Sequence, residues 1–207
     1  SLRPIHAMAT YYETVGLTKK AIEVLERAPS AVMNPSDRIA TNAKLALLYI
    51  TAGDLTKAEY TLAKLRANEY TPKSALSYLE GFLAFRNGDL KSSARHLEIA
   101  YEVGQSHHVL KLLYVVNTKL GKDSRELLER HVTQYPNDKA SKALFAESLI
   151  GNDNSAAITL FTSLIDNDMS DGDVYNNLAW AYYLEKNYDL ALSFSTKALD
   201  LKSDNDE

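Results

Sequence analysis

The stretch NNLAWAYYLEKNYDLALSFSTKAL, residues 176–199, decides the fold. Its apolar residues recur at helical spacing on both sides of a polar break, EKN at 185–187. Its small residues, Ala179, Ala191 and Ala198, stand at set distances from that break. The layout recurs upstream. TVGLTKKAIEVLERA occupies 14–28, TAGDLTKAEYTLAKL 51–65 and RNGDLKSSARHLEIA 86–100. Each opens on a Gly or Asn turn, and a small residue follows about five positions later. Each also follows another segment of helical length: IHAMATYYE, ATNAKLALLYI, SALSYLEGFLAF or VYNNLAWAYYL. The unit is helix, tight turn, helix, and it returns roughly every 34 residues.

Packing physics explains the small residues. The two helices of a unit pack antiparallel, and units stack on one another. Helix backbones approach closely only where both sides carry small side chains. Gly16, Gly53, Gly88, Gly121 and Gly151 fall in the turns, where a left-handed residue ends the first helix, and Asn187 is expected to take that place in the last unit. Pro35, Pro72 and Pro136 sit between units, where proline suits the first turn of a helix.

The totals narrow the function classes. The 207 residues are 45% hydrophobic and 24% charged, an ordinary globular balance. A net charge of −4 gives no global basic field for nucleic acid. No apolar run approaches the roughly 18 residues of a membrane span, so no direct insertion is expected. With no cysteine, thiolate catalysis, zinc–thiolate sites and disulfides are excluded together. No nucleophile elbow, HExxH or P-loop is present, so no enzyme and no cofactor is expected. His107 and His108 are adjacent on a helix and point about 100° apart, a poor arrangement for one metal. DNDMSDGD at 166–173 has the acidic alternation of a calcium loop through Asp166, Asp168, Ser170 and Asp173. Its Gly172 is one position late and Asn177 stands where a bidentate Glu belongs, and a polar turn with Asp helix caps explains it equally well.

These residues resemble the tetratricopeptide repeat (TPR) family. A repeat started at Gly172 places Tyr175, Leu178, Ala179, Tyr182, Ala191 and Ala198 on the family's positions 4, 7, 8, 11, 20 and 27, with Ser195 and Ser203 as departures. A start at Ile39 gives Leu45, Ala46, Tyr49, Ala58 and Leu62. A start at Leu2 gives Met8, Ala9, Tyr12, Ala21, Leu25 and Ala28. A start at Ser74 gives Gly81, Ser93, Leu97 and Ala100, with Glu80 in place of Leu. Two units are degenerate. Residues 107–136 put Tyr114 at the small position and shorten the second helix; the next unit keeps Leu144, Ala157 and Phe161 but has Phe145 at position 8. The resemblance therefore implies an all-α, right-handed α-solenoid of about six repeats over 1–207: 2–35, 39–72, 74–106, 107–136, 138–171 and 172–205.

The resemblance also implies a binding face. In such arrays positions 2, 5, 9, 12 and 13 of each first helix line a concave groove. Here these include Leu47, Ile50, Tyr78, Phe82, Phe85, Arg86, Lys111, Lys119, Lys139, Lys142, Trp180 and Tyr183. Aromatics on a rigid surface anchor partner segments, and the five basic residues would favour an acidic segment or a C-terminal carboxylate. The expected function is a non-catalytic scaffold for a protein partner; a spacer or self-association module is the alternative. The chain starts at Ser1 and ends in SDNDE, which reads as a piece of a longer protein. The outer face of the last repeat, including Trp180 and Tyr183, then expects a further helix or a homotypic contact. The last repeat is similar to TPR segments of bacterial envelope proteins serving exopolysaccharide export, pilus assembly or protein sorting. That similarity leans the expected location to the envelope over the cytoplasm.

Overall fold

The computed structural model describes residues 3–29, 33–169 and 171–203; Ser170 of the acidic loop and the SDNDE terminus beyond Ser203 lie outside the described residues. Among the described residues there are twelve α-helices and no strand. They gather into two compact units, Ser1–Leu120 and Gly121–Glu207, whose boundary falls inside the fourth expected repeat.

The first unit holds α1 (Arg3–Thr14), α2 (Thr18–Glu26), α3 (Pro35–Ala52), α4 (Leu55–Arg66), α5 (Lys73–Arg86), α6 (Leu90–Gly104) and α7 (His107–Lys119). The second holds α8 (Arg125–Gln134), α9 (Lys139–Leu149), α10 (Asn154–Asp166), α11 (Gly172–Leu184) and α12 (Tyr188–Ser203). The helix pairs α1–α2, α3–α4 and α5–α6 form hairpins in the first unit, and α9–α10 and α11–α12 form them in the second. In the degenerate fourth repeat α8 has 10 residues against 15 for α6, but α2 of the clear first repeat has 9, so its length does not set this repeat apart.

Side-chain caps start most of these helices. Asn34, Asp54, Asp89, Asp138, Asp153 and Asp171 each accept from the backbone N–H three residues on, at 2.7–3.1 Å. Each cap satisfies a donor the helix leaves open and contributes about 1 kcal/mol. All five turn glycines have positive φ, from 69° to 82°. Asn187, however, does not. In the last hairpin the left-handed residue is Lys186, at φ 61°, and Asn187 takes the N-cap position that Asp89 holds after Gly88. The chain path is the same, with lysine carrying the conformational cost.

The small positions are closed as the packing argument requires. Ala9, Ala46, Ala21, Ala58 and Ala157 are fully buried, and Ala179 and Ala198 nearly so. At the α5–α6 crossing the buried Ser93 hydroxyl donates to the Gly81 carbonyl at 2.8 Å. Glu80, where the family has Leu, is explained locally. Its carboxylate accepts from Arg66 Nε at 2.6 Å and lies 3.2 Å from His96 Nδ1, so an ion-paired cluster replaces an apolar contact.

The fifth repeat corrects the register read from sequence. Asp138 caps Ser141 as Asp171 caps Val174, and both capped residues are buried. The repeat therefore begins at Lys139, one residue later than expected. Fully buried Ala146 then fills the small position, and Phe145 moves to position 7. α9 has 11 residues against 13 in α11, and its turn, 150–153, has four against three, so helix and turn together are one residue shorter and return the second helix to phase. Position 8 is thus small here after all.

Candidate functional site

In the first unit, α3 and α5 lie side by side and leave a concavity between their N-terminal halves. Its volume is about 870 Å³. Ile39, Ala40, Ala43 and Ala75 form an apolar floor, with Asn34, Pro35, Pro72 and Tyr70 around it. Tyr70 is 73% exposed on the loop between α4 and α5. Three of its lining residues are alanines, Ala40, Ala43 and Ala75, and a larger side chain at any of them would intrude into it. Ala40, Ala43 and Leu47 share one face of α3, and Ala75, Tyr78 and Phe82 share one face of α5. The apolar strip therefore continues along both helices. Tyr78 and Phe82 stack with centroids 6.3 Å apart, and both lean on the hydrophobic core. Burial pushes the Tyr78 phenol upward, so it stays a neutral donor.

The expected groove residues divide. Leu47, Tyr78, Phe82 and Phe85 are half-buried, each offering part of its surface. Ile50 is fully buried and is a core residue, since the core of the first unit closes over position 12 of α3. Arg86 does not stand ready for a carboxylate; its Nη1 donates to the Thr51 carbonyl at 3.4 Å, in the last turn of α3. Lys139 likewise donates to the Asn167 carbonyl at the end of α10. These two cations satisfy helix C-termini, where backbone carbonyls lack helical partners. With the corrected register, Ala140 and Ala143 replace Lys139 and Lys142 at positions 2 and 5, and Lys142 is half-buried. Lys111 and Lys119 are exposed on α7.

In the second unit Trp180 and Tyr183 are both 50% exposed and stack with centroids 5.1 Å apart and planes 12° apart. Tyr188 continues the row, 5.7 Å from Tyr183. Trp180 and Tyr183 lie on the same face of α11 as the exposed Asp173 and Asn176, and Tyr188 opens α12. The rings of His107 and His108 touch, at 4.4 Å between centroids, although their backbone directions differ. In the acidic loop Asp168 sits at φ 61° and Asp171 is committed to capping α11. No helix is long and apolar enough to cross a membrane among the described residues.

Sequence reasoning missed Tyr70, Pro72, Pro35 and Ile39. They lie in the connection between repeats or at a helix start, and a groove inferred from fixed helix positions excludes them. The polar, Pro-containing EYTP run at 69–72 was the available signal.

Residues 172–205, which include the last hairpin, match the family model of the tetratricopeptide repeat. Solved structures of similar fold span nearly the whole chain. YrrB, a TPR protein with an unusual peptide-binding site, is 22% identical with a TM-score of 0.59, over 90% of this chain and 93% of that one. Pseudomonas aeruginosa pilF is 14% identical with a TM-score of 0.69, over 98% and 96%. A tetratricopeptide repeat protein from Parabacteroides merdae is 15% identical with a TM-score of 0.66, over 95% and 77%. No curated protein matches the chain in sequence. The chain is thus an all-α protein of tetratricopeptide-repeat fold, a class of generally non-catalytic scaffolds for protein–protein interaction.

Proposed function

We propose that this scaffold holds a partner segment in the first unit, with an apolar side chain of the partner seated between α3 and α5. The observation that carries the reading is the 870 Å³ concavity floored by Ile39, Ala40, Ala43 and Ala75. Its walls are helix faces held by the core beneath, so little ordering entropy opposes binding. Tyr70 at the rim adds a large amphipathic contact. The half-buried Leu47 and Phe82 extend the strip for the rest of an extended or helical segment. That YrrB, of the same fold, has a peptide-binding site supports the same class of ligand here. With Arg86 donating to the Thr51 carbonyl, apolar anchoring rather than carboxylate pairing carries the affinity. The setting we propose is a bacterial envelope system for exopolysaccharide export, pilus assembly or protein sorting; fractionation of the source cells tests the compartment.

The experiment is affinity capture with the intact chain and with Ala43→Arg, read by mass spectrometry. Ala43 is half-buried and lines the hollow, so an arginine there runs its stem through it with its charged head reaching water. The expected result is a partner retained by the intact chain and lost by the variant, with helicity and melting temperature unchanged. A partner retained equally by both would overturn the groove reading.

A further inference from the structure

We infer that the segment held between α3 and α5 is an amphipathic α-helix of a partner protein, lying with its C-terminal end over the hollow. The inference rests on the groove reading above and narrows it from an apolar segment to a helix of stated direction.

Backbone hydrogen bonding decides the conformation. An extended peptide laid on a surface turns about half of its N–H and C=O groups toward it, and each must find a partner there or be desolvated at a cost. The strip offers them little. Its α3 side is Ile39, Ala40, Ala43 and Leu47, and its α5 side is Ala75, Tyr78 and Phe82. The polar groups at its margins are engaged within the chain. Asn34 Oδ1 accepts from the Asp37 N–H at 2.7 Å, and Asn34 Nδ2 donates to the Asp37 carboxylate at 3.1 Å. The Thr51 hydroxyl donates to the Leu47 carbonyl at 2.9 Å, and Arg86 donates to the Thr51 carbonyl. Ser36, Tyr70 and Tyr78 add only hydroxyls. A helix bonds its own backbone and presents side chains alone, which is what an apolar strip can receive.

Length agrees. Ala40 and Leu47 stand seven residues apart on α3, so that side of the strip runs about 10 Å. Residues i and i+7 of a second helix laid alongside are separated by the same rise. Large apolar residues at i, i+3 or i+4, and i+7 of the partner therefore share one face over the strip.

Charge sets the direction. The N-terminal halves of α3 and α5 both flank the hollow, so the two helices run parallel and bring their positive dipole ends to the same place. Asn34 and Asp37 offset that charge on α3, but α5 opens on Lys73 with no side-chain cap. At the far end of the strip the guanidinium of Arg86 meets the carbonyl charge of α3. The negative, C-terminal end of a bound helix thus belongs over the hollow.

The test is selection of displayed random peptides of about 16 residues, some four turns of helix, on the wild-type chain. Counter-selection uses Ala40→Arg and Ala43→Arg. Ala40 is exposed and Ala43 half-buried, and with two variants either one whose melting temperature falls can be set aside. Peptides that separate wild type from variant should carry large apolar residues at i, i+3 or i+4, and i+7. Proline placed between these anchors should weaken binding by about tenfold or more in fluorescence anisotropy. Peptides with alternating apolar residues, or ones that tolerate the proline, would leave the groove reading standing and overturn the helix. No peptide that separates wild type from variant would overturn the groove reading, and the inference with it. Disulfide pairing reads the direction, because the chain has no cysteine of its own. On oxidation, Ser36→Cys at the hollow should join a cysteine at the C-terminus of a selected peptide, and Thr51→Cys one at its N-terminus. The reverse pairing, or equal yields of both, would overturn the direction.

Discussion

Gly81 shows how little room a repeat leaves at its small position. A Cβ there would lie 2.8 Å from Leu97 Cγ and 2.9 Å from Cδ2, with the Leu97 backbone N at 3.3 Å. Leu97 is fully buried and has nowhere to retreat. Gly81→Ala should therefore destabilise the chain by about 1–3 kcal/mol despite alanine's better helix propensity; denaturant unfolding measures it. Glu26 gives a second prediction. The Tyr49 hydroxyl donates to its carboxylate at 2.6 Å and Lys57 Nζ at 3.1 Å. These bonds hold Glu26 below its ordinary value of 4.5, while burial and the same carboxylate push Tyr49 upward. The unfolded chain thus binds the proton more readily, so this contribution is full above pH 4.5 and lost as the pH falls below it. Melting temperature should drop in that range, and Glu26→Gln should flatten the drop. An unchanged slope would show that the bond does not couple to folding.

At the scale of the element, the turns and caps were readable because each needs a particular residue. Gly at a positive φ and Asp or Asn before a helix are chemical requirements, and five turn glycines were placed correctly. What failed was register where two residues met the same requirement. Asn187 looked like the left-handed residue, but its side chain caps α12 and Lys186 takes the strain. Lys186→Gly should relieve that strain and raise stability by about 1 kcal/mol, readable as a higher melting temperature; a lower one would mean the lysine contributes a contact that outweighs it. In the fifth repeat, Phe145 misled because α9 is two residues shorter than α11 and its turn only one longer, which hides a one-residue shift of α9. Spacing measured from Ala157 backwards cannot see that shift, whereas the Asp138 cap can.

At the scale of the molecule, helix type and hairpin order followed from the repeat alone, while the candidate site was only half readable. Ala40, Ala43, Leu47, Tyr78 and Phe82 stand at the groove positions that the family resemblance implies. Ile50 and Arg86 occupy groove positions in sequence yet serve the core and a helix terminus, because neighbouring repeats decide what covers them. Tyr70 belongs to a loop, and no periodicity addresses it. The central claim is that the hollow between α3 and α5 receives the partner. The direct measurement is photo-crosslinking in source cells, with a benzophenone side chain placed at Ala40 on the hollow's floor and, separately, at Tyr60, 65% exposed on α4 and outside the hollow's lining. A single protein crosslinked from position 40 and absent from position 60 is the predicted result. No crosslink from 40, or the same one from both positions, would contradict it.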